Sequence, residues 1–106
     1  MKFGIDMTYI RRFENKGNLA KRILSKKELE EYQVSTEKAI FLATHFAAKE
    51  AYMKANSCRH HCALSSIELF HEENGKPYVM VNGVCWDISI SHEKDYVIAM
   101  VMEHEG

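Results

Sequence analysis

A single long helix is the strongest constraint that this sequence places on its fold. Between Ser35 and Ala55 an apolar stripe advances in steps of four, three, four and three residues, which places its side chains on one face of a helix. Glu50 interrupts the stripe. Burying an unpaired charge costs on the order of several kcal/mol, so a carboxylate there has to be neutralised, hydrogen-bonded, ion-paired or bound to a metal. The stripe consists of Ala39, Ala43, Phe46, Glu50 and Met53.

The second half of the chain changes to the two-residue period of β-strands. An Asn74-Gly75 pair lies between two alternating segments, which is the strongest short signal for a hairpin. Helices followed by an antiparallel meander predict an α+β fold, in which N-terminal helices and the long central helix pack on the sheet. Residues 1–106 are predicted to form one domain. The predicted strands cover 66–71, 77–81, 87–91 and 96–102, with a turn at 93–95.

The N-terminus reads as a short strand with one apolar face. Phe3, Ile5 and Met7 alternate with smaller or polar residues, so this face is predicted to be buried. Asp6 then points away from the apolar face. Thr8 is predicted to cap a helix that follows the strand.

Capping residues mark the starts of the later helices. Ser25 and Glu28 have the spacing of a capping box and open a predicted helix that runs to about Gln33. Ser35 and Glu37 are predicted to begin the long helix.

Composition predicts a small soluble protein. With 106 residues, 46% of them hydrophobic, the core is modest, and self-association is a reasonable way to bury more surface. No apolar run approaches the roughly 20 residues of a membrane span, and the first ten residues lack the layout of a cleavable signal. Three cysteines form neither an even nor a dense set, which argues against a secreted disulfide scaffold. We therefore expect a cytoplasmic protein with no membrane partner.

Charge is divided unequally along the chain. Residues 1–62 hold twelve Lys or Arg and seven Asp or Glu, a balance of +5, and residues 63–106 hold two and eight, a balance of −6. A basic N-terminal region attracts acidic surfaces or phosphates, although a solvated helix face is an equally good interpretation. Nucleic acid is not expected as a partner, because no basic sheet with interleaved aromatic residues is present. The basic cluster comprises Arg11, Arg12, Lys16, Lys21, Arg22, Lys26 and Lys27.

Four short strings occur in a distinctive order between residues 3 and 102. They are Gly4-Ile5-Asp6, Phe46-Ala47-Ala48-Lys49-Glu50-Ala51 with Lys54, Asn74-Gly75-Lys76-Pro77 and Ile88-Ser89-Ile90-Ser91-His92. Each string alone is a weak signal, but their order, their separations and the chain length are specific together. The chain resembles the holo-[acyl-carrier-protein] synthases, the short trimeric type of 4′-phosphopantetheinyl transferase. The resemblance implies the fold of that family.

The resemblance also implies an activity. The expected reaction is a magnesium-dependent transfer of 4′-phosphopantetheine from coenzyme A to a serine of apo acyl carrier protein, in fatty acid biosynthesis. Its products are the holo carrier and adenosine 3′,5′-bisphosphate.

Asp6 and Glu50 match the magnesium positions of the family. With two carboxylates, the ion would keep waters and bind the diphosphate of coenzyme A. The proton of the serine would pass either to Lys54 or to a metal-bound water polarised by Glu50. The alternative interpretations are an exposed ion pair between Glu50 and Lys54, worth about 0.3–0.5 kcal/mol, and a helix cap at Asp6.

Coenzyme A contacts are implied for His45, Lys49, Ser91 and His92. The Ser-His element is expected to reach the site of a neighbouring subunit, which implies a homotrimer with active sites between subunits. Two residues depart from the family pattern. His45 replaces an arginine and is only partly charged near neutral pH, and Glu93 replaces a small hydroxyl residue.

The same resemblance implies that the basic cluster binds the carrier protein. Carrier proteins are acidic helical bundles, and the family docks them on its first helical region. Arginine suits such a surface because its planar fork binds carboxylates in pairs. The implied carrier contacts are Arg11, Arg12, Lys21 and Arg22.

Two alternatives remain open from the sequence. One is a divergent homologue that binds carrier protein but transfers poorly, because residues 56–62 lack the glycine-rich loop of the family. The other is a small zinc-binding interaction module. Its ligands would be Cys58, His60, His61 and Cys62, whose spacing is poor for a structural zinc site.

Overall fold

The computed structural model describes residues 1–57 and 63–104. In this part of the chain, three α-helices and two short 3₁₀ helices accompany five strands, which confirms the α+β prediction. The helices are α1 (Gly17–Ile23), α2 (Lys26–Val34) and α3 (Lys38–Asn56), with 3₁₀ helices at Ile10–Phe13 and Leu64–Ser66. The strands are β1 (Phe3–Tyr9), β2 (Glu68–His71), β3 (Pro77–Val81), β4 (Val84–Glu93) and β5 (Tyr96–Glu103).

The sheet is an antiparallel meander with the N-terminal strand added to its end. Strand order is β1-β5-β4-β3-β2. The predicted Asn-Gly hairpin joins β2 to β3, where His71 pairs with Pro77 and Gly75 has a φ of +90°. A positive φ is readily adopted by glycine, so the turn forms where the pair occurs. On the other edge, Asp6 of β1 lies opposite Ala99 of β5.

Helix α3 crosses the sheet over β1 and β5. Gly4 makes this possible, because a Cβ at this position would overlap the carbonyl oxygen of Ala51 and lie 2.7 Å from the amide nitrogen of Ala55. The buried side of α3 is rich in alanine, including Ala47, Ala48 and Ala51. Small residues on both elements therefore bring the backbone of β1 close to the helix.

The prediction for the faces of β1 is wrong. Phe3, Ile5 and Met7 are 65%, 54% and 64% exposed, whereas Gly4 and Thr8 are buried against the helix. The physical reason is the close approach of α3, which leaves room only for small and polar side chains on the inner face. Asp6 thus points towards α3. The apolar side chains on the other face of β1 and β5 form the outer sheet face, which consists of Phe3, Ile5, Met7, Tyr9, Tyr96 and Ile98.

The capping predictions succeed in part. Ser25 and Glu28 form the complete capping box at the start of α2. Thr8 caps no helix, since β1 continues to Tyr9 and the Thr8 hydroxyl donates to Asp6 instead. Glu37 precedes α3 without a side-chain cap.

No helix in residues 1–57 and 63–104 is long and apolar enough to cross a membrane.

Candidate active site

A groove runs between β1, the first 3₁₀ helix and α3. It has a volume of about 440 Å³ and is polar along much of its wall. The alternation of β1 turns Asp6 towards α3, and the helical repeat places Glu50 and Lys54 one turn apart on the facing side. The groove thus brings together residues that are far apart in the sequence. Its lining comprises Asp6, Met7, Thr8, Arg12, Phe46, Glu50, Met53 and Lys54.

Asp6 is held by hydrogen bonds to both carboxylate oxygens. Oδ2 accepts a hydrogen bond of 2.7 Å from the Thr8 hydroxyl. Oδ1 accepts one of 3.0 Å from the Lys54 ammonium, which also donates to the carbonyl oxygen of Ile5 at 3.1 Å. The Asp6 side chain is only 12% exposed. The alternative in which Asp6 caps a helix does not match these contacts.

Glu50 lines the same groove. It is half-buried, at the edge of the apolar stripe rather than in the core. Within residues 1–57 and 63–104, its carboxylate makes no hydrogen bond or ion pair. The exposed Glu50–Lys54 pair considered from the sequence therefore does not form, because Lys54 pairs with Asp6. Glu50 remains available for a cation or for water.

The donor set suits a hard cation that is shared with substrate. No group of three or more His, Cys, Asp or Glu residues that could hold a metal occurs in the described part of the chain. Two carboxylates in one groove instead match an ion such as Mg²⁺, which keeps waters and binds substrate phosphates. The zinc hypothesis concerns residues 58–62, which lie outside the described residues.

Lys49 occupies a different environment from the one predicted. Its ammonium is fully buried and donates to Glu28 Oε1 at 2.6 Å and to the carbonyl oxygens of Ile23 and Leu64, both at 2.9 Å. These contacts join α3 to α1, to α2 and to the second 3₁₀ helix. The ammonium does not face the groove, so its position does not match the predicted contact with coenzyme A.

Glu28 is the buried carboxylate that sequence reasoning missed. It accepts hydrogen bonds from Ser25 N and Leu69 N, both at 2.9 Å, besides the one from Lys49. Burial alone would raise the pKa of Glu28, but the Lys49 charge and these donors outweigh burial and lower it. Burial also lowers the pKa of Lys49, against the opposing effect of Glu28. The capping box at Ser25 and Glu28 was the visible signal, but it gave no sign of this second role.

His45 also lies away from the groove. It lines a separate cavity of about 280 Å³ with Lys27, Phe41, Phe70 and other residues of α2 and β2. Its ring stacks on Phe41 with centroids 4.0 Å apart, and Nδ1 donates to the Phe41 carbonyl oxygen at 2.8 Å. Burial lowers the pKa of His45, although Glu28 opposes the shift. Burial thus disfavours the charged form of His45.

Ser91 and His92 are exposed near the end of β4. Ser91 lines a cavity of about 430 Å³ that includes Met7, Tyr96 and Ile98 of the outer sheet face. Neither residue lines the groove of its own chain.

The predicted carrier contacts are all exposed, but their surroundings differ. Arg12 lies over the rings of Phe13 and Phe46, 4.9 and 5.1 Å from their centroids. It lines both the groove and an adjoining cavity of about 880 Å³. Arg11 pairs with Asp95 at 3.4 Å. Lys21 and Arg22 lie in the last turn of α1.

Comparison with known proteins gives the class to which this fold and groove belong. The family model described as the 4′-phosphopantetheinyl transferase superfamily matches residues 2–101, so the chain belongs to that superfamily. The holo-[acyl-carrier-protein] synthase of Mycoplasmopsis pulmonis is 42% identical over 101 residues, which cover 94% of this chain and 87% of that protein. The resemblance inferred from the four strings is thus confirmed.

Solved structures have the same fold. The holo-[acyl-carrier-protein] synthase of Neisseria meningitidis matches with a TM-score of 0.85 at 29% identity, over 98% of each chain. A second match is the holo-(acyl-carrier-protein) synthase of Bacillus anthracis in complex with CoA (3′,5′-ADP). It has a TM-score of 0.84 at 28% identity, over 97% of this chain and 96% of that one.

Proposed function

We propose that this chain transfers 4′-phosphopantetheine from coenzyme A to a serine of apo acyl carrier protein, with Mg²⁺ held by Asp6 and Glu50. The observation that carries the proposal is the groove that joins these two carboxylates and Lys54. Membership of the transferase superfamily and similarity to holo-[acyl-carrier-protein] synthases support it. They also favour an enzyme over the zinc-binding module.

The reaction replaces the phosphoanhydride bond of coenzyme A by a phosphodiester bond to the serine. The serine oxygen bonds to the phosphorus that carries pantetheine, the bridging P–O bond breaks, and adenosine 3′,5′-bisphosphate leaves with the electron pair. When bound, Mg²⁺ neutralises charge on the two phosphates. Asp6 and Glu50 would hold the ion from opposite walls of the groove, where partial burial would strengthen each charge interaction.

Lys54 and Glu50 take different roles in this proposal. The Lys54 ammonium is a donor to Asp6 and to the Ile5 carbonyl oxygen, and such a group is suited to compensating negative charge. The serine proton would go instead to a water that is polarised by the Glu50 carboxylate. Of the two bases considered from the sequence, we therefore favour water.

Removal of the metal gives a direct test. Release of adenosine 3′,5′-bisphosphate should fall by about two to three orders of magnitude when EDTA is added, because a bound cation supplies several kcal/mol of transition-state stabilisation. Excess Mg²⁺ should restore the rate, which is measured by chromatography of the nucleotide product. Reactions without carrier protein are the control for hydrolysis. A rate that EDTA leaves unchanged would contradict the proposed magnesium site.

We also propose a homotrimer whose active sites lie between subunits. The outer sheet face supports it, because monomeric proteins rarely expose a continuous apolar patch of this kind. The Ser91 cavity adjoins that face, and we propose that a neighbouring subunit packed there brings its groove close to Ser91 and His92. These two residues are the proposed coenzyme A contacts from the second subunit. His45 does not line the groove, and burial lowers its pKa, so we propose for it at most a weak contact with the nucleotide.

Mixed trimers test this arrangement. Glu50→Gln and His92→Ala should each lower activity, and a 1:1 mixture refolded together should regain about one quarter of the wild-type rate, because one interface in four then joins two native residues. A mixture of Glu50→Gln and Asp6→Asn is the matched control, since both residues line the groove of one subunit. If the mixture of Glu50→Gln and His92→Ala is no more active than the mixture of Glu50→Gln and Asp6→Asn, the active sites are not shared between subunits.

The exposed basic residues supply the proposed surface for the carrier. Arg12 is the one that also lines the groove, so a carrier docked there would present its serine beside Asp6 and Glu50. Arg11 extends the positive surface along the first 3₁₀ helix, and Lys21 and Arg22 extend it along α1. An interface of this kind forms rapidly and weakens as salt is added. We place the reaction in the cytoplasm, in keeping with the sparse cysteines.

A further inference from the structure

Thr8 lies buried on the inner face of β1, two residues beyond Asp6. It is only 2% exposed, and its hydroxyl donates to Asp6 Oδ2 at 2.7 Å. Within residues 1–57 and 63–104, Asp6 is the one hydrogen-bond partner of this hydroxyl. A valine would fill the same space on the strand. The hydroxyl is therefore needed for its hydrogen bond to Asp6 and not to fill space in the core.

The geometry of Asp6 shows what that contact does. A carboxylate on a strand is free to turn about its side-chain bonds unless donors hold both oxygens. Thr8 holds Oδ2 from within the strand, and Lys54 holds Oδ1 from the opposite wall of the groove. An ionised carboxylate has more than one lone pair on each oxygen, so a cation can bind Oδ1 beside the Lys54 ammonium. The Thr8 hydrogen bond to Oδ2 can stay in place when that happens, so it can orient Asp6 both before and after a cation binds.

We propose that Thr8 is a positioning residue, whose buried hydroxyl holds the Asp6 carboxylate in the orientation that binds a divalent cation together with Glu50. This inference rests on the proposed function, in which Asp6 and Glu50 hold Mg²⁺. Hydrogen bonds that orient a metal-binding carboxylate typically contribute about 10–100-fold to metal affinity. The hydroxyl already donates to Asp6, so we expect its loss to act through Asp6.

The test measures Mg²⁺ binding instead of turnover. Mg²⁺ is titrated calorimetrically into the chain saturated with coenzyme A, in the absence of carrier protein. Thr8→Val should weaken Mg²⁺ binding by about tenfold or more, and Thr8→Ser, which keeps the hydroxyl, should bind nearly as well as the wild type. Thr36→Val, at an exposed position, is the control and should change nothing. In the transfer assay, Thr8→Val should raise the Mg²⁺ concentration for half-maximal rate while kcat at saturating Mg²⁺ is largely kept.

The outcomes separate this inference from the proposed function. If Asp6→Asn abolishes Mg²⁺ binding while a folded Thr8→Val keeps wild-type affinity, Thr8 does not position Asp6 and the inference fails. If Asp6→Asn itself binds Mg²⁺ normally, the proposed metal site is wrong and the inference falls with it. Thr8→Ala removes the hydroxyl without any steric demand, so it replaces Thr8→Val if circular dichroism shows that the valine variant is misfolded. If Thr8→Ser, which keeps the hydroxyl, binds Mg²⁺ as weakly as Thr8→Ala, the hydroxyl does not position Asp6 and the inference is also overturned.

Discussion

Lys49→Met is expected to lower the free energy of unfolding by about 3–5 kcal/mol, because it leaves the Glu28 carboxylate buried without its counter-charge. Both side chains have no exposed surface, and the Lys49 ammonium is satisfied by three oxygens. A loss of this size is a large fraction of the total stability of a small domain, which is about 5–15 kcal/mol. Urea unfolding followed by circular dichroism measures it.

A surface pair provides the matched control. Lys27 pairs with Glu31 at 3.3 Å, and both side chains are about half exposed, so Lys27→Met should cost less than about 1 kcal/mol. The double variant Lys49→Met/Glu28→Gln should recover part of the loss, since it removes the uncompensated charge. If Lys49→Met costs no more than Lys27→Met, the buried pair does not hold the helices together.

Gly4→Ala is expected to lower the free energy of unfolding by about 1–3 kcal/mol or more, because its methyl group would overlap backbone atoms that cannot rotate away. Strand β1 would have to move away from α3. Asp6 lies on the same face of that strand, so the movement would also displace it from Glu50. A misplacement of about 1 Å can lower turnover by about 10²-fold. The rate of transfer should therefore fall even at temperatures where circular dichroism shows a folded chain.

Gly17→Ala is the control for this substitution. A Cβ at Gly17 meets no atom within 4 Å, so the replacement should leave both stability and turnover close to wild type. Wild-type stability and turnover in Gly4→Ala would mean that the close approach of β1 and α3 is not required for the groove.

Local patterns were sufficient to predict most of the secondary structure. The helical repeat around Glu50 predicted α3, and the Asn74-Gly75 pair predicted the β2–β3 hairpin, because both depend on neighbours in the sequence. The family strings then placed Asp6 and Glu50 together. That placement could not come from periodicity, because it depends on how β1 lies against α3.

The failures concern contacts between elements that are distant in the sequence. Alternation in β1 identifies two faces but does not show which one α3 covers. The helix packs on the face with the smaller side chains, because Gly4 allows close approach. The resemblance implies a coenzyme A contact for Lys49, and the local sequence gives no sign of its partner Glu28, which lies 21 residues away. The position of Thr8 after the strand predicts a helix cap, whereas the fold brings its hydroxyl to Asp6.

The most direct test of the account is the intact mass of an apo acyl carrier protein after incubation with this chain, coenzyme A and Mg²⁺. The same incubation with Glu50→Gln is the control, because the substitution keeps the shape of the side chain and removes its charge. We expect the carrier to gain one phosphopantetheine with the wild-type chain and none with Glu50→Gln. No gain on several carriers, from a chain shown to be folded, would contradict the account and favour a homologue that binds carrier protein without modifying it.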